Sequence, residues 1–430
     1  LPRSDWFWAI LLIVLNLALF ADALFTNKTF FFRDVSFFHY PLKWLVTEAY
    51  SSGEWPLWNP YIQLGQPLLA NPNCMAFYPT QVLFQILPFE LAFELHFVLH
   101  CIGAGLATYF LGRTLGFSRC SAFVAAAVYN FSGVTLSFVN LFNILPVVTF
   151  LPLLTLLFLK LLQRITLWRM AATSLVSGAF LLLLEPLSSF AIGLFLAVFL
   201  AAFWFWSGQT RVGPARAIGC LLIVFGSSLL LAAVQLLPTF ELIQHSGRRG
   251  GLDLNVVTGW SMPPINLLEM LSPQIFGDFF RLTQNSSWAS SFFENREPYL
   301  LSSYFGLFAL LLVLFGVFFS NKKFLSASLL VLSVVGVLFA LGKYSTIYPW
   351  MIEHFHPFRF GRYPVKYLLM VNFCLAILTG FGLQRFDELR RDGDFRLHLK
   401  TPRFVIFAAF LLLLALLLFV IAPMVTAGPG

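Results

Sequence analysis

Runs of apolar residues long enough to cross a bilayer recur along this chain, and no other feature limits its fold as tightly. A spanning helix needs roughly 17 to 25 mostly apolar residues. Stretches of about that length lie at 6–25, 91–111, 119–138, 144–162, 170–184, 187–206, 217–238, 299–319, 324–342, 365–385 and 404–423. The chain is 59% hydrophobic and only 11% charged, with a mean hydropathy of +0.82, far from the mix of a soluble domain. The reading is an all-α polytopic membrane protein of about 11 transmembrane helices, one domain over residues 1–430.

The formal charge of +8 does not point to nucleic acid, because the basic residues are dispersed among loops between apolar spans. Topology accounts for them. With the N-terminus in the cytoplasm, sixteen of the 27 Lys and Arg residues fall in short inside loops: Arg3, Arg113, Arg119, Lys160, Arg164, Arg169, Arg211, Arg216, Lys322, Lys323, Arg385, Arg390, Arg391, Arg396, Lys400 and Arg403. The rest lie on or beside three longer outer loops, at about 26–90, 239–298 and 343–364, so the density difference follows the positive-inside rule. An odd number of spans then puts the C-terminus outside. Ala21, Asp22 and Ala23 form an A-x-A-like site, but the length of the first span and its thin basic flank at Arg3 favour retention. The chain begins at Leu1 and stops soon after the last span, so a fragment is expected.

The first outer loop, RDVSFFHYPLKWLVTEAYSSGEWPLWNPYIQLGQPLLANPNCMAFYPT, is polar and proline-studded. A loop this long is usually functional or disordered, and its aromatic content argues for order. Pro41 at a helix start, the stripe Leu42, Leu45, Val46 and Ala49, and Gly53 beyond the end predict a short amphipathic helix lying on the membrane surface. Trp44, Trp55, Trp58 and Tyr61 are types that settle at headgroup depth. Of the five cysteines, only Cys74 lies in a polar loop, so no disulfide framework or CxxC metal site is available.

Asp34 is the first acidic group after the first span. Its ordinary jobs would be the N-cap of a helix beginning near Val35 or a surface partner of Arg33. Its chemical job would be a general base at the outer face, where partial desolvation tunes a carboxylate; the same group is equally a ligand for a divalent cation. In the third outer loop Arg359, Arg362 and Lys366 suit a phosphate or diphosphate, since guanidinium forks and an ammonium supply charge-assisted hydrogen bonds, the ordinary alternative being lipid snorkelling. His354 and His356 are two residues apart, a weak metal spacing, and suit a hydrogen-bonding role. Glu269, Asp278 and Glu294 in the second outer loop are secondary acidic candidates. Glu185 caps a tight outer hairpin, and no GxxxxGK[ST] stretch is present for an ATPase.

Several strings, RDVSFFHYPLKW, GEWPLWNPYIQLGQPLLANPN with FYPT, AAAVYNFSG, LSPQIFGDF, PYLLSSYFG and HPFRFGRYPVKYLLMVNFCLAILTGFGL, resemble in order the YfhO-type bacterial membrane proteins of the GT-C glycosyltransferase class. The resemblance implies transfer of a sugar from a polyprenyl-phosphate carrier to an envelope polymer or lipid acceptor at the outer face of the bacterial cytoplasmic membrane. It also implies an acidic catalytic residue in the first outer loop, at Asp34 here. The contrasting expectation is a transporter of lipid or lipid-linked oligosaccharide, which predicts broken helices near the midplane.

Overall fold

The computed structural model describes residues 3–26, 28–206, 212–273, 275–277 and 297–392. In chain order its helices begin with α1 (Arg3–Leu19), α2 (Ala21–Phe25), α3 (Tyr40–Ser51), α4 (Leu83–Ile86), α5 (Phe89–Thr114), α6 (Arg119–Phe131), α7 (Gly133–Ser137) and α8 (Pro146–Gln163). They continue with α9 (Leu167–Leu181), α10 (Pro186–Trp206), α11 (Pro214–Gln244), α12 (Leu254–Val257), α13 (Leu307–Phe319), α14 (Lys323–Ala340), α15 (Ile347–His354) and α16 (Leu368–Arg391). One two-stranded antiparallel ladder, β1 (Trp58–Asn59) with β2 (Gln66–Pro67), sits in the loop after α3.

Among the described residues seven helices are long and apolar enough to cross a membrane, fewer than the eleven spans expected. Segment 404–423 lies outside the described residues. The helices α1, α9 and α13 have 17, 15 and 13 residues, at or below the spanning limit. The expected span 299–319 starts late for a local reason: Ser302 N–H donates to Ser137 Oγ, Ser303 Oγ donates to Glu269, and Gly306 takes φ +106°, so helix begins only at Leu307.

The central pillar is α16, whose spanning window is wholly buried in the protein, whereas only 28% of the α11 window is buried. Gly316 of α13 and Gly382 of α16 let those two backbones touch: a Cβ on Gly382 would lie 1.9 Å from the Leu312 carbonyl oxygen. Close approach through small residues is how helices associate where lipid removes the hydrophobic drive. A second device is the break between α6 and α7. Ser132 is extended there, its hydroxyl accepting from Thr135 N–H, and Gly133 leaves room for Ser302 while its amide donates to the Tyr304 carbonyl.

Polar contacts sort the connections into two ends. At one, the buried Asp5 carboxylate accepts from Tyr109 and pairs with Arg113 and Arg119, Lys322 Nζ donates to the Leu115 carbonyl, and Ser118 N–H to Gln384. At the other, residues of the first, second and third predicted outer loops bond to one another. These contacts group connections by end and do not say which side of a membrane either end faces. The amphipathic helix forms at α3, with Pro41 in its first turn, Leu42 and Val46 buried, and Gly53 at φ +74° beyond its end. Its following loop is pinned to α5: Thr80 Oγ1 lies 2.9 Å from His96 Nδ1, and Tyr78 Oη 2.7 Å from His100 Nε2. The His100 Nδ1 faces the His96 carbonyl, which can only accept, so a neutral His100 ring receives the Tyr78 proton at Nε2.

Candidate functional site

Three segments far apart in sequence meet around Tyr299. From the first loop, Arg33 reaches the residues just before and at Tyr299: Nε lies 2.8 Å from Glu297 Oε2, Nη2 2.7 Å from the Pro298 carbonyl and Nη1 3.3 Å from the Tyr299 carbonyl. From the second, the Trp260 indole N–H donates to the Glu297 carbonyl at 2.7 Å. From the third, the Tyr363 amide donates to the Val257 carbonyl at 3.2 Å. The three rings form a cluster, with centroids 4.6 Å apart for Trp260 and Tyr363, 5.0 Å for Tyr299 and Tyr363, and 5.8 Å for Trp260 and Tyr299.

Backbone strain concentrates here. Arg33, Trp260 and Tyr363 are left-handed at φ +54°, +50° and +70°, and Leu184, next to Glu185, at +47°. Each costs a residue with a Cβ about 1–2 kcal/mol. Strain of this kind persists only where surrounding bonds over-determine it, and it gathers at functional sites.

Asp34 follows the strained Arg33 and opens a single π-turn, Val35–His39, closed by the Tyr40 amide on the Val35 carbonyl. Isolated π-turns are frequent at functional sites. Its carboxylate is exposed, makes no capping hydrogen bond, and the Arg33 guanidinium is directed to residues 297–299. Neither ordinary job is therefore performed. Burial holds the Tyr299 phenol well above its usual range, with the Glu185, Tyr363 and Asp34 charges adding to the rise and Arg362 opposing it. Asp34, Glu185 and Arg362 are thus all within electrostatic reach of one phenol.

The basic residues divide. Arg362 lies 5.0 Å over the Tyr363 ring, and Arg248, past the end of α11, comes within electrostatic reach of both. Arg359 turns away, its Nε 3.4 Å from the Ile352 carbonyl, while its own carbonyl accepts from Leu252 N–H. Lys366 is buried beneath the cluster, 5.6 Å from the Tyr299 ring and 5.4 Å from the Tyr363 ring, and pairs with Glu185 at 2.8 Å. Burial pushes the Glu185 carboxyl up, but Lys366 and the Ser188 amide more than offset it and leave it below the usual range. His354 and His356 are exposed, stacked on Trp350 and edge-on to Phe360. Glu269 accepts from Ser303 Oγ at 3.0 Å, and burial holds its carboxyl above the ordinary range. Asp278 and Glu294 lie outside the described residues.

Sequence reasoning did not single out Arg248, Trp260, Tyr299 or Tyr363. For a divalent cation the donor set is thin: Glu297 is engaged by Arg33 and Glu185 by Lys366, which leaves Asp34, and among the described residues no three His, Cys, Asp or Glu gather as ligands. What the arrangement offers is an exposed carboxylate at Asp34 and two guanidinium groups, Arg248 and Arg362, within electrostatic reach of each other, a pairing of like charges that an anion relieves. No protein-family model matches this chain, and no curated protein matches its sequence. The YfhO-type resemblance therefore rests on the quoted strings.

Proposed function

We propose that the chain is a membrane glycosyltransferase of GT-C type that moves a sugar from a polyprenyl-phosphate donor to an envelope polymer or lipid acceptor. The carrying observation is that Arg33, which precedes Asp34, bonds to the Pro298 and Tyr299 carbonyls while Arg362 lies over the Tyr363 ring that packs against Tyr299. A lipid-linked donor presents a phosphate at headgroup level with a sugar just above it, and needs cations and a base within one small space. Asp34 takes the proton of the acceptor hydroxyl as its oxygen attacks the anomeric carbon. The bond from that carbon to the phosphate oxygen breaks, the electron pair leaves with the phosphate, and Arg362 with Arg248 stabilises the charge that develops. One displacement inverts the anomeric centre. In this reading the site faces outward from a bacterial cytoplasmic membrane, with the N-terminus inside, the C-terminus outside and about 11 spans.

The test is transfer of radiolabelled sugar from a polyprenyl-phosphate donor by purified protein. A transporter of lipid-linked oligosaccharide is the second reading, favoured by the break at Ser132. At 1.5 Å per residue the 13 residues of α6 carry the chain about 20 Å, past the middle of a bilayer core of about 30 Å. Movement of the donor across liposomes without bond cleavage would select it.

A further inference from the structure

A cavity of about 550 Å³ opens between the π-turn, α3 and the β1–β2 loop, within the size range of small-molecule sites. We propose that it binds a neutral saccharide, and, on the transferase reading, that this is the glycan of the acceptor. The cavity begins one turn from Asp34, at Phe37. Three aromatic side chains in its wall are accessible: Phe37, Trp44 and Tyr61, at 88%, 47% and 83% exposure. Two polar groups join them. Glu48 is exposed and its carboxylate makes no hydrogen bond or ion pair among the described residues. Asn59 is buried, its Oδ1 accepting from Tyr61 N–H at 3.0 Å, and its Nδ2 has no protein acceptor among the described residues.

A sugar ring matches this set. Its C–H face is apolar and lies on an aromatic face, as amphipathic aromatics favour, while its hydroxyls both donate, to Glu48, and accept, from Asn59. An acyl or prenyl chain would bury the carboxylate and the amide with nothing to bond, at a cost of several kcal/mol. A phosphate would be repelled by Glu48. A second cavity shows what a purely apolar occupant requires: about 420 Å³ walled by Phe158, Leu196, Leu200, Trp204 and Ile218, with no charged side chain among the described residues that line it.

The experiment uses the whole chain in nanodiscs with maltotriose, cellotriose and chitotriose as probes, read by saturation-transfer NMR. At least one should bind; Glu48→Gln should weaken it about tenfold or more, as expected for a hydrogen bond to a charged group, and Tyr61→Ala should weaken it several-fold through loss of the aromatic face. Both side chains are exposed, so the variants should fold. In the transfer assay the same variants should raise the acceptor KM and leave kcat near wild type. Binding without any transfer by wild type overturns the transferase reading alone. Transfer with unchanged KM in both variants overturns the saccharide site alone. If no trisaccharide binds and nitroxide-labelled lipid quenches Trp44 in wild type, the cavity belongs to the bilayer and the proposal fails.

Discussion

The Lys366 ammonium lies 2.8 Å from the Glu185 carboxylate, and the pair is buried at the N-terminal end of the central helix directly under the Tyr299 and Tyr363 rings. It joins the start of α10 to the start of α16 and fixes the floor on which the exposed charges stand. Removing one member leaves the other buried without a counter-charge, which typically costs about 3–5 kcal/mol. Lys366→Met or Glu185→Gln should lower the melting temperature in detergent markedly. Glu185→Leu with Lys366→Met should recover much of the loss, because two apolar residues leave nothing unpaired. A double variant no better than the singles would show that the site needs the charges themselves.

The first loop should respond to pH in a defined direction. Burial holds His39 down to about 4, and its Nδ1 has no hydrogen-bond partner among the described residues; burial likewise holds Lys43, whose Nζ donates to the Met75 carbonyl, down to about 7. Both are bases whose charged form is favoured by unfolding. The unfolded loop therefore binds more protons between about 4 and 6.5 at His39 and between about 7 and 10.5 at Lys43. Stability rises with pH through each window and is lost as acid takes the pH down from 6.5 toward 4. Hydrogen exchange over residues 35–50, corrected for intrinsic rates, should show it. Lys43→Met should flatten the upper window and His39→Phe the lower.

Gly382→Leu tests the closeness of α13 and α16. With the Leu312 carbonyl oxygen 1.9 Å from a Cβ there, the two helices must separate along their whole contact, and the loss should exceed the usual overpacking cost of about 1–3 kcal/mol. Gly219→Leu on α11 meets nothing within 4 Å and should melt like wild type.

Arg362 and Arg359 looked equivalent in the sequence and are separated by the structure. Arg362→Ala should cut transfer by about 10²–10³, the usual loss for a group that stabilises developing charge. Arg362→Lys should recover part of it, since the charge returns without the planar fork. Arg359→Ala, with its side chain turned to Ile352, should cost much less. Equal losses at the two positions would mean that Arg359 swings into the site during the reaction.

Local features were legible and convergent ones were not. Pro41, Gly53 and the apolar stripe between them mark α3 because capping and periodicity act within a dozen residues. The basic connections separate from the acidic and aromatic ones because charge alone distinguishes them. The stitch of Arg33 to residues 297–299 bridges more than 260 positions, and nothing within hydrogen-bonding range in sequence announces it. Tyr299 was hidden inside an apolar run, since hydropathy averages over the serines that keep 299–306 out of the helix. The break at Ser132 did leave a trace, the FSG triplet after VYN, which a span-length average smooths away. Glu185 was readable as a hairpin cap, and it does accept from Ser188 N–H, but its ion pair with Lys366 exists only in three dimensions.

Asp34 provides the sharpest test, because its side chain makes no capping bond and its neighbour Arg33 is engaged elsewhere. Even the loss of about 1 kcal/mol common on removing a cap is not expected, so Asp34→Asn should express and melt like wild type. Its amide cannot take a proton at neutral pH, and loss of a general base costs about 10² to 10⁴ in rate. Transfer should therefore collapse while donor binding survives. Asp34→Glu keeps the basicity but moves the carboxylate by a methylene, and a displacement near 1 Å costs on the order of 10²-fold, so it should recover little. Single-turnover transfer measured beside melting curves separates these outcomes. If Asp34→Asn transfers sugar at the wild-type rate, the base must be sought at Glu269, where burial already holds a carboxyl above the ordinary range, and Glu269→Gln becomes the deciding variant.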